Sequence, residues 1–344
     1  MTQTLQRPTT TGPLAKNSRA VLGDRAFWLL SLVAGLLVLA VLALILFTTV
    51  TKAWPAFSES GTSFFTSSSW IPNDPDGPTG PQTAHFGALA FIFGTAVVSV
   101  LSLVFAVPIS IGIALFLTEI APRRVRTFSV TVIDLLAAVP SVVFGLWAIL
   151  VVAPALVPVY DGIRSAVDTV FGPIPVIGDG LTSVFGFPVS SGRSFMTASL
   201  ILAAMITPII TSITREVFAT VPTADKQAAL ALGATRWEMI RGAVFPHSFG
   251  GMVGAVMLGL GRAMGETIAV SLTIGAANQI TPNLFASGNA LPSIIVQNWN
   301  ESGGTFQAAL IGCGVVLFVV TVIVNYGARI IVRRAELRMK GAAT

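Results

Sequence analysis

Charge is scarce in this chain. Only 10% of its 344 residues are Asp, Glu, Lys or Arg, against about 25% in an ordinary soluble domain. So few charges could not cover the surface of a soluble monomer. With 53% hydrophobic residues, the composition points instead to an integral membrane protein and excludes a disordered chain. Cysteine is almost absent: Cys313 alone rules out a disulfide scaffold and a Cys-based metal site. The two histidines, His85 and His247, lie far apart along the chain and suggest no metal site either. No G-x4-G-K-[ST] phosphate loop is present, so the chain cannot itself be an ATPase. Nothing resembles a nucleophile–base pair, which leaves a membrane enzyme with little support. Period-2 alternation is missing, which argues against a membrane β-barrel. No internal repeat is visible, so an inverted-repeat transporter gains nothing.

What the sequence has in quantity is long uncharged runs. About 20 apolar residues span a bilayer as a helix. Six such runs stand out: Ala26 to Thr51, Phe86 to Thr118, Thr127 to Tyr160 (broken by Asp134), Ser194 to Thr214, Phe249 to Ala277, and Thr305 to Ala328. The fold class expected is therefore all-α integral membrane with six transmembrane helices. A polar tail (1–25) precedes the first helix (26–51). An external loop (52–85) leads into a five-helix core (86–332), and a basic tail closes the chain (333–344). The first run is too long for a signal h-region and lacks a clean cleavage site, so it reads as a retained helix. The Pro- and Gly-rich stretch 70–85 should form an irregular external loop. Residues 156–193 should hold a short amphipathic or re-entrant piece.

The basic residues carry the orientation. With six spans, sixteen of the 20 Lys and Arg fall on one side, and only Lys52, Arg164 and Arg193 fall on the other. The positive-inside rule puts both termini in the cytoplasm. The same split removes a nucleic-acid reading of the net charge of +5: the cations are topology signals. The twentieth, Arg262, is inside the fifth helix.

Between the fourth and fifth helices, residues 221–248 read as two short helices with a sharp turn. Pro222 and Thr223 mark a start, with Asp225 in the first turn to suit the helix dipole. Gly233 suits a left-handed C′ position. Thr235 and Glu238 have capping-box spacing, and Pro246 falls where the second helix should bend toward the membrane. The pattern alone also suits an ordinary structured loop.

In the fifth helix Arg262 lies thirteen residues after Phe249, about 20 Å along the axis. That depth is well inside the hydrocarbon, where an Arg costs about 2.5–3.5 kcal/mol on insertion scales. Glu266 follows four residues later, on the same face of a continuous helix. Gly259, Gly261 and Gly265 leave room for close packing or for a solute. Two readings stand side by side: a structural Arg262–Glu266 ion pair, or an anion site with Arg262 as the fork-like donor.

Two stretches resemble a known family. Gln227-Ala228-Ala229-x3-Gly233, with Pro246 thirteen residues after the glycine, resembles the EAA loop of ATP-binding-cassette (ABC) importer permeases. Gln227 stands in place of the usual Glu, and Ala243 and Phe245 in place of Ile and Leu. The run Gly259 to Thr267 (GLGRAMGET) is similar to the signature of PstC-type permease subunits of phosphate ABC importers, of the MetI-like, binding-protein-dependent transport permease family. FGALAFIFGTAVVS, VPISIGIALFLTE and LLAAVPSVVFGLW extend the likeness from Phe86 to the basic tail. The resemblance implies a MetI-like permease fold in a bacterial plasma membrane. It implies a coupling helix, with Gln227, Ala228, Ala229, Gly233, Thr235, Glu238 and Pro246, that docks on an ATPase subunit dimer. It implies a second homologous permease subunit and an extracytoplasmic phosphate-binding protein. ATP-Mg would be held by the ATPase, with no cofactor in this chain. Arg262, Glu266 and Thr267 would line the path of inorganic phosphate. Near neutral pH phosphate retains a proton and sulfate does not, so Glu266 would accept that hydrogen bond and disfavour sulfate.

Lesser candidates are Asp134, expected as a partner for a nearby Arg or as a helix-end charge; Thr207, Pro208 and Thr211, candidates to line the pathway, with the hydroxyls expected rather to bond backbone or pack; Arg215 and Glu216, expected to anchor the coupling loop; and Cys313, expected to pack. The rival readings are an ABC permease for another oxyanion such as sulfate, and a secondary transporter or channel working alone.

Overall fold

The computed structural model describes residues 18–72, 84–172, 174 and 177–341. It divides into two compact units, residues 1–51 and 52–344. The first unit carries most of α1 (Ser18–Ser60). Leu36, Leu37, Val38 and Leu39 follow one another there, so apolar side chains point to every side of the helix, the pattern of a membrane span. Residues 1–17 of the expected tail lie outside the described residues. Helix α1 runs on to Ser60, past Thr51 and into the segment expected as external loop.

The second unit is built on α3 (Leu89–Leu115), after a short α2 (Ser63–Thr66) and a strand pair, β1 (Trp70–Ile71) and β2 (His85–Phe86). The strands are antiparallel, with Trp70 opposite Phe86. Most of the loop expected to be irregular, residues 73–83, lies outside the described residues. Helix α3 buries Thr95, Ser99, Ser102, Ala106, Ser110 and Ala114, a stripe of small residues at helical spacing. Such a stripe lets two backbones approach closely. The helix against it is α8, and Ser110 donates to the Thr207 carbonyl across the seam at 3.2 Å.

Between them run α4 (Arg123–Ala137), α5 (Ser141–Trp147), α6 (Ala153–Phe171) and α7 (Ile177–Val184), then α8 (Phe195–Ala219). The third span differs from expectation. It does not start at Thr127: the chain breaks before Pro140, and the span runs Ser141–Phe171. Proline lacks an N–H and pushes the residue before it out of the helical region. Helix α4 has three arginines in its first turn and no buried residue, and Asp134 lies on it, exposed, rather than in a span. The segment 156–193, expected to be external, is mostly the end of α6 and the eight residues of α7.

After α8 come α9 (Thr223–Ala231), α10 (Arg236–Met239), α11 (Phe245–Gly265), α12 (Ile268–Thr273), α13 (Leu291–Asn298) and α14 (Gly304–Gly341). Two wide π turns, Ala148–Val152 and Ile240–Val244, sit just ahead of Pro154 and Pro246. Widening the ladder there lets a helix pass a residue that cannot donate to it. So α10 and α11 form one span, Arg236–Gly265, and Pro246 does not end the helix. Six helices among the described residues are long and apolar enough to cross a membrane. The core between α3, α8 and α11 holds Val98, Leu202, Ile206, Ile210, Ala255 and Ala263. A second cluster includes Phe64, Phe86, Phe91, Leu291 and Leu310, with Cys313 packed wholly inside it.

Candidate transport path and coupling surface

Helix α11 has one covered and one open face. Ser248, Ala255, Gly259 and Ala263 are buried, and a Cβ on Gly259 would meet Ile210 of α8 at 2.6 Å. Gly254, Leu258, Arg262 and Gly265 are exposed, at the spacing of a single helical stripe. A Cβ on Gly254, Gly261 or Gly265 would meet only open space. Ile210 lies just past the middle of the 25-residue α8, and Arg262 is one turn beyond Gly259. Arg262 is therefore level with the middle of α8, half-way through the bundle, on the uncovered face. Its guanidinium makes no hydrogen bond or ion pair with any described residue.

Glu266 is not its partner. The helix ends at Gly265, and Glu266 has extended backbone angles, φ −70° and ψ 126°. The expected continuous helix to Ala277, with Arg262 and Glu266 on one face, is thus corrected. Glu266 turns away and is 8% exposed. It lines a tight seam of about 10 Å³ against α3 and the start of α13, with Thr95, Ser99 and Pro292. Thr267, half-buried, follows at the break, and its hydroxyl donates to the Gly265 carbonyl at 3.1 Å.

The break is imposed by tertiary contacts rather than by propensity. Helix α12 is pulled against α5, where a Cβ on Gly145 would lie 3.1 Å from the Ala269 Cα. Carbonyls at and just past its far end are held by other segments. Ser194 N–H donates to Thr273, and Gly288 N–H to Ile274. Gln297 Nε2 donates to the Gly275 carbonyl at 3.0 Å and to Ser293 Oγ at 3.0 Å. Its Oε1 accepts from Asn289 at 3.0 Å. Gly275 itself sits at φ +100°, where only glycine is unstrained. Buried polar networks this fully paired rigidify what they join.

The loop at the other end of α11 is equally built. Helix α9 ends in a Schellman motif: Gly233, at φ +87°, donates to the Leu230 carbonyl and Ala234 to Ala229. Thr235 then opens α10 with a complete capping box, as its spacing predicts. The Thr235 N–H and hydroxyl both donate to Glu238 Oε2, at 2.7 and 2.8 Å, and Glu238 N–H donates back to Thr235 Oγ1 at 3.3 Å. These bonds, the backbone one first, hold the Glu238 carboxyl below its usual range. Behind α9, Lys226 Nζ meets Glu119 Oε1 at 2.6 Å, with both side chains largely buried. Among the described residues Arg215 and Glu216 pair only with each other, at 3.7 Å, and the ion pair that ties the loop to α3 is Lys226–Glu119. On the outside the knob presents Leu230, Leu232 and Trp237, with Leu232 90% exposed. Gln227 and Ala228 are exposed beside them, and Ala229 packs inward against the cluster that holds Phe218 and Val244.

Residues 106–337 match the family described as the binding-protein-dependent transport system inner membrane component. The chain is 38% identical over 321 residues to the phosphate transport system permease protein PstC of Mesorhizobium japonicum, covering 93% of each chain. It is 37% identical to PstC of Xylella fastidiosa over 97% of this chain and 98% of that one. The chain belongs to the binding-protein-dependent transport permeases, of the PstC type. PstC 2 of Mycobacterium tuberculosis is 39% identical over 90% of the permease and 91% of its own length. Among solved structures, a bacterial ABC transporter that imports the acidic polysaccharide alginate shares the fold, with TM-score 0.54 at 18% identity, over 92% of the permease and 99% of that chain. The MetNI methionine ABC transporter, facing inward, does so with TM-score 0.50 at 16% identity, over 71% and 94%.

Several residues that organise the permease escaped the sequence reading. Lys226 counted only as a topology charge, and Glu119 had no role. Their pairing joins positions 107 apart, a distance no local pattern reports. Asn289 and Gln297 were two amides in a loop, and Thr95 and Ser99 two hydroxyls in an apolar run. The one available signal was their polarity inside hydrophobic sequence, where an unpaired polar group is costly.

Proposed function

We propose that the chain is the transmembrane permease subunit of an ATP-driven phosphate importer and forms half of the phosphate pathway. The observation that carries this reading is Arg262: an unpaired guanidinium half-way through the bundle, on a glycine-lined open face. A cation at that depth calls for an anion or a polar cavity. The open stripe Gly254, Leu258, Arg262 and Gly265 would face a second, homologous permease subunit, and the anion would pass between the two. Glu266 and Thr267 lie beyond Arg262, toward the end away from the coupling loop. An incoming phosphate would meet the carboxylate first and the guanidinium second, as two stations rather than one bidentate site. The permease would sit in a bacterial plasma membrane with both termini in the cytoplasm, as the distribution of Lys and Arg supports.

The knob formed by α9 and α10 would dock on an ATPase subunit dimer through Leu230, Leu232 and Trp237, flanked by Gln227 and Ala228. Exposed apolar groups on a rigid, capped projection are what a docking surface needs. ATP-Mg would be bound and hydrolysed there, outside this chain. Lys226–Glu119 would carry the motion from the knob to the end of α3. An extracytoplasmic phosphate-binding protein would deliver the substrate on the opposite side. The test is reconstitution with the second permease, the ATPase and the binding protein in vesicles. Labelled phosphate should enter only with ATP, and excess sulfate should not compete. Uptake without the ATPase would establish a secondary transporter instead, and sulfate competition a broader oxyanion permease.

A further inference from the structure

Helix α4 is not itself a span, but it stands beside one. At its start the Arg126 guanidinium donates to the Thr118 carbonyl at 2.6 Å, at the end of α3 where Glu119 meets Lys226 of the coupling loop. From there α4 packs along α8, with Ser129, Val130 and Ile133 half-buried. Past the break at Pro140, α5 reaches Ala269 through Gly145, and Ala269 shares a buried cluster with Ile201 and Met205 in the far half of α8. Helix α4 therefore covers the half of α8 nearer the coupling loop. Asp134 lies eight residues after Arg126, about 12 Å along the axis, well inside the bundle rather than at its rim. It is exposed, and it makes no hydrogen bond or ion pair with any described residue. No cation stands one turn away on its own helix, where Val130, Thr131, Ala137 and Ala138 lie. Thr127 and Thr131 share its stripe and return their hydroxyls to the Arg123 and Thr127 carbonyls, at 3.0 and 3.1 Å. Val125, Phe128, Val132 and Leu135 form a separate, exposed apolar arc.

We infer that the Thr127–Thr131–Asp134 stripe of α4 is a contact surface for the second permease subunit, which places a Lys or Arg side chain against Asp134. The inference rests on the proposed function. A carboxylate at membrane depth faces protein or water and is held by a counter-charge. Lipid tails suit the Phe128 arc and leave Asp134 unsatisfied, so lipid covers one side of α4 and protein the other. Phosphate cannot stand in for the missing cation, because two anions repel. The ATPase docks on the knob, at the rim, and does not reach this depth. Thr127 and Thr131, short and already satisfied, let a partner helix pass close by.

The test uses the complete complex with a photoreactive side chain, Asp134→benzoylphenylalanine, and Phe128→benzoylphenylalanine as its control. Illumination should join position 134 to the second permease and position 128 to lipid. A second measurement follows the second permease as the complex is diluted in detergent. Asp134→Asn, close in shape, should weaken its retention at least about tenfold. Asp134→Glu, which keeps the charge, should restore most of it, and Asp134→Lys should be the weakest of the series. If the bulky probe itself blocks assembly, the Asn, Glu and Lys series decides. The inference is overturned if position 134 captures only lipid or the ATPase, if Asp134→Asn holds the second permease normally, or if Asp134→Glu is no better than Asp134→Asn. Phosphate uptake by the unsubstituted complex separates the two levels. If that uptake needs no second permease, the proposed function is wrong. If uptake needs it while position 134 captures only lipid, only the role of Asp134 falls.

Discussion

The two ends of α11 are built on opposite principles. At its start, the turn from α9 through Gly233, Thr235 and Glu238 is closed by a Schellman motif and a capping box, and the ion pair Lys226–Glu119 braces the knob from behind. At its end, the chain breaks at Glu266 with one long backbone bond, Glu266 N–H to the Ala263 carbonyl at 3.4 Å. There Arg262 and Glu266 are left without partners among the described residues. A part that transmits force gains from internal pairing, which makes it stiff. A part that handles a charged solute must keep its hydrogen-bonding capacity free for that solute. On the proposed function, mechanics falls to one end and chemistry to the other, and each can be attacked separately.

The strongest test removes the free cation. Two charge-assisted bonds from a guanidinium to an oxyanion are together worth about 3–6 kcal/mol. Arg262→Gln should therefore lower phosphate uptake at least about a hundredfold, while the complex still assembles and is recovered intact by size-exclusion chromatography. Disassembly would make Arg262 a structural residue and erase the contrast. Glu266→Gln comes next. An amide can donate as well as accept, so excess sulfate should begin to slow phosphate uptake, with phosphate uptake itself falling about tenfold. Full uptake with unchanged sulfate rejection would remove Glu266 from the path.

At the mechanical end the expected signature is uncoupling, not loss of the path. Breaking a wholly buried pair costs about 3–5 kcal/mol. Lys226 and Glu119 retain 19% and 10% side-chain exposure, so each single alanine should cost less, about 2 kcal/mol. The measurement is ATP hydrolysed per phosphate imported, which should rise in Lys226→Ala and in Glu119→Ala. The double variant should be no worse than either single one, because the second substitution removes the stranded charge. Gly233→Ala should act more weakly. A Cβ there meets nothing within 4 Å, so only the left-handed backbone, at about 1 kcal/mol, opposes it.

The sequence is most legible where structure is local. Six apolar runs give six spans because span length and hydropathy are properties of contiguous residues. Gly233 and the Thr235–Glu238 box are readable because a capping motif closes within four residues. Legibility fails wherever a distant partner decides. Nothing near Glu266 in the sequence announces that α12 is drawn onto Gly145 and held by Gln297, so a continuous helix to Ala277 was the natural expectation. Pro140 was a missed local signal: a proline within an apolar run marks a break, and the basic α4 before it has no buried face to hold it in a span. The candidate site was legible in its residues but not in its geometry. Arg262 and Glu266 are both there, yet four residues of spacing mean one helical face only if the helix continues.

The smallest expected effect bears on whether the stiffness of the knob comes from its cap. Thr235→Ala removes the hydroxyl that accepts the Glu238 N–H, a loss of about 1 kcal/mol for a typical N-cap. Hydrogen exchange of the Glu238 and Met239 amides in the intact complex should quicken accordingly, with α8 unchanged. The charge on Glu238 gives a second handle. Its carboxyl is held below the usual carboxylate range by the Thr235 backbone N–H and then by the hydroxyl. A depressed value means that the folded form prefers the ionised group. The stabilisation is thus complete above the ordinary glutamate value and is lost as pH falls through the lowered one. Amide protection at α10, corrected for the intrinsic exchange rate, should hold down to mildly acidic pH and then fall. In Glu238→Gln it should be lower at neutral pH and flat across the same interval. If the two proteins gave parallel curves, the rigidity of the knob would have to come from Lys226–Glu119 and the packing of Ala229 alone.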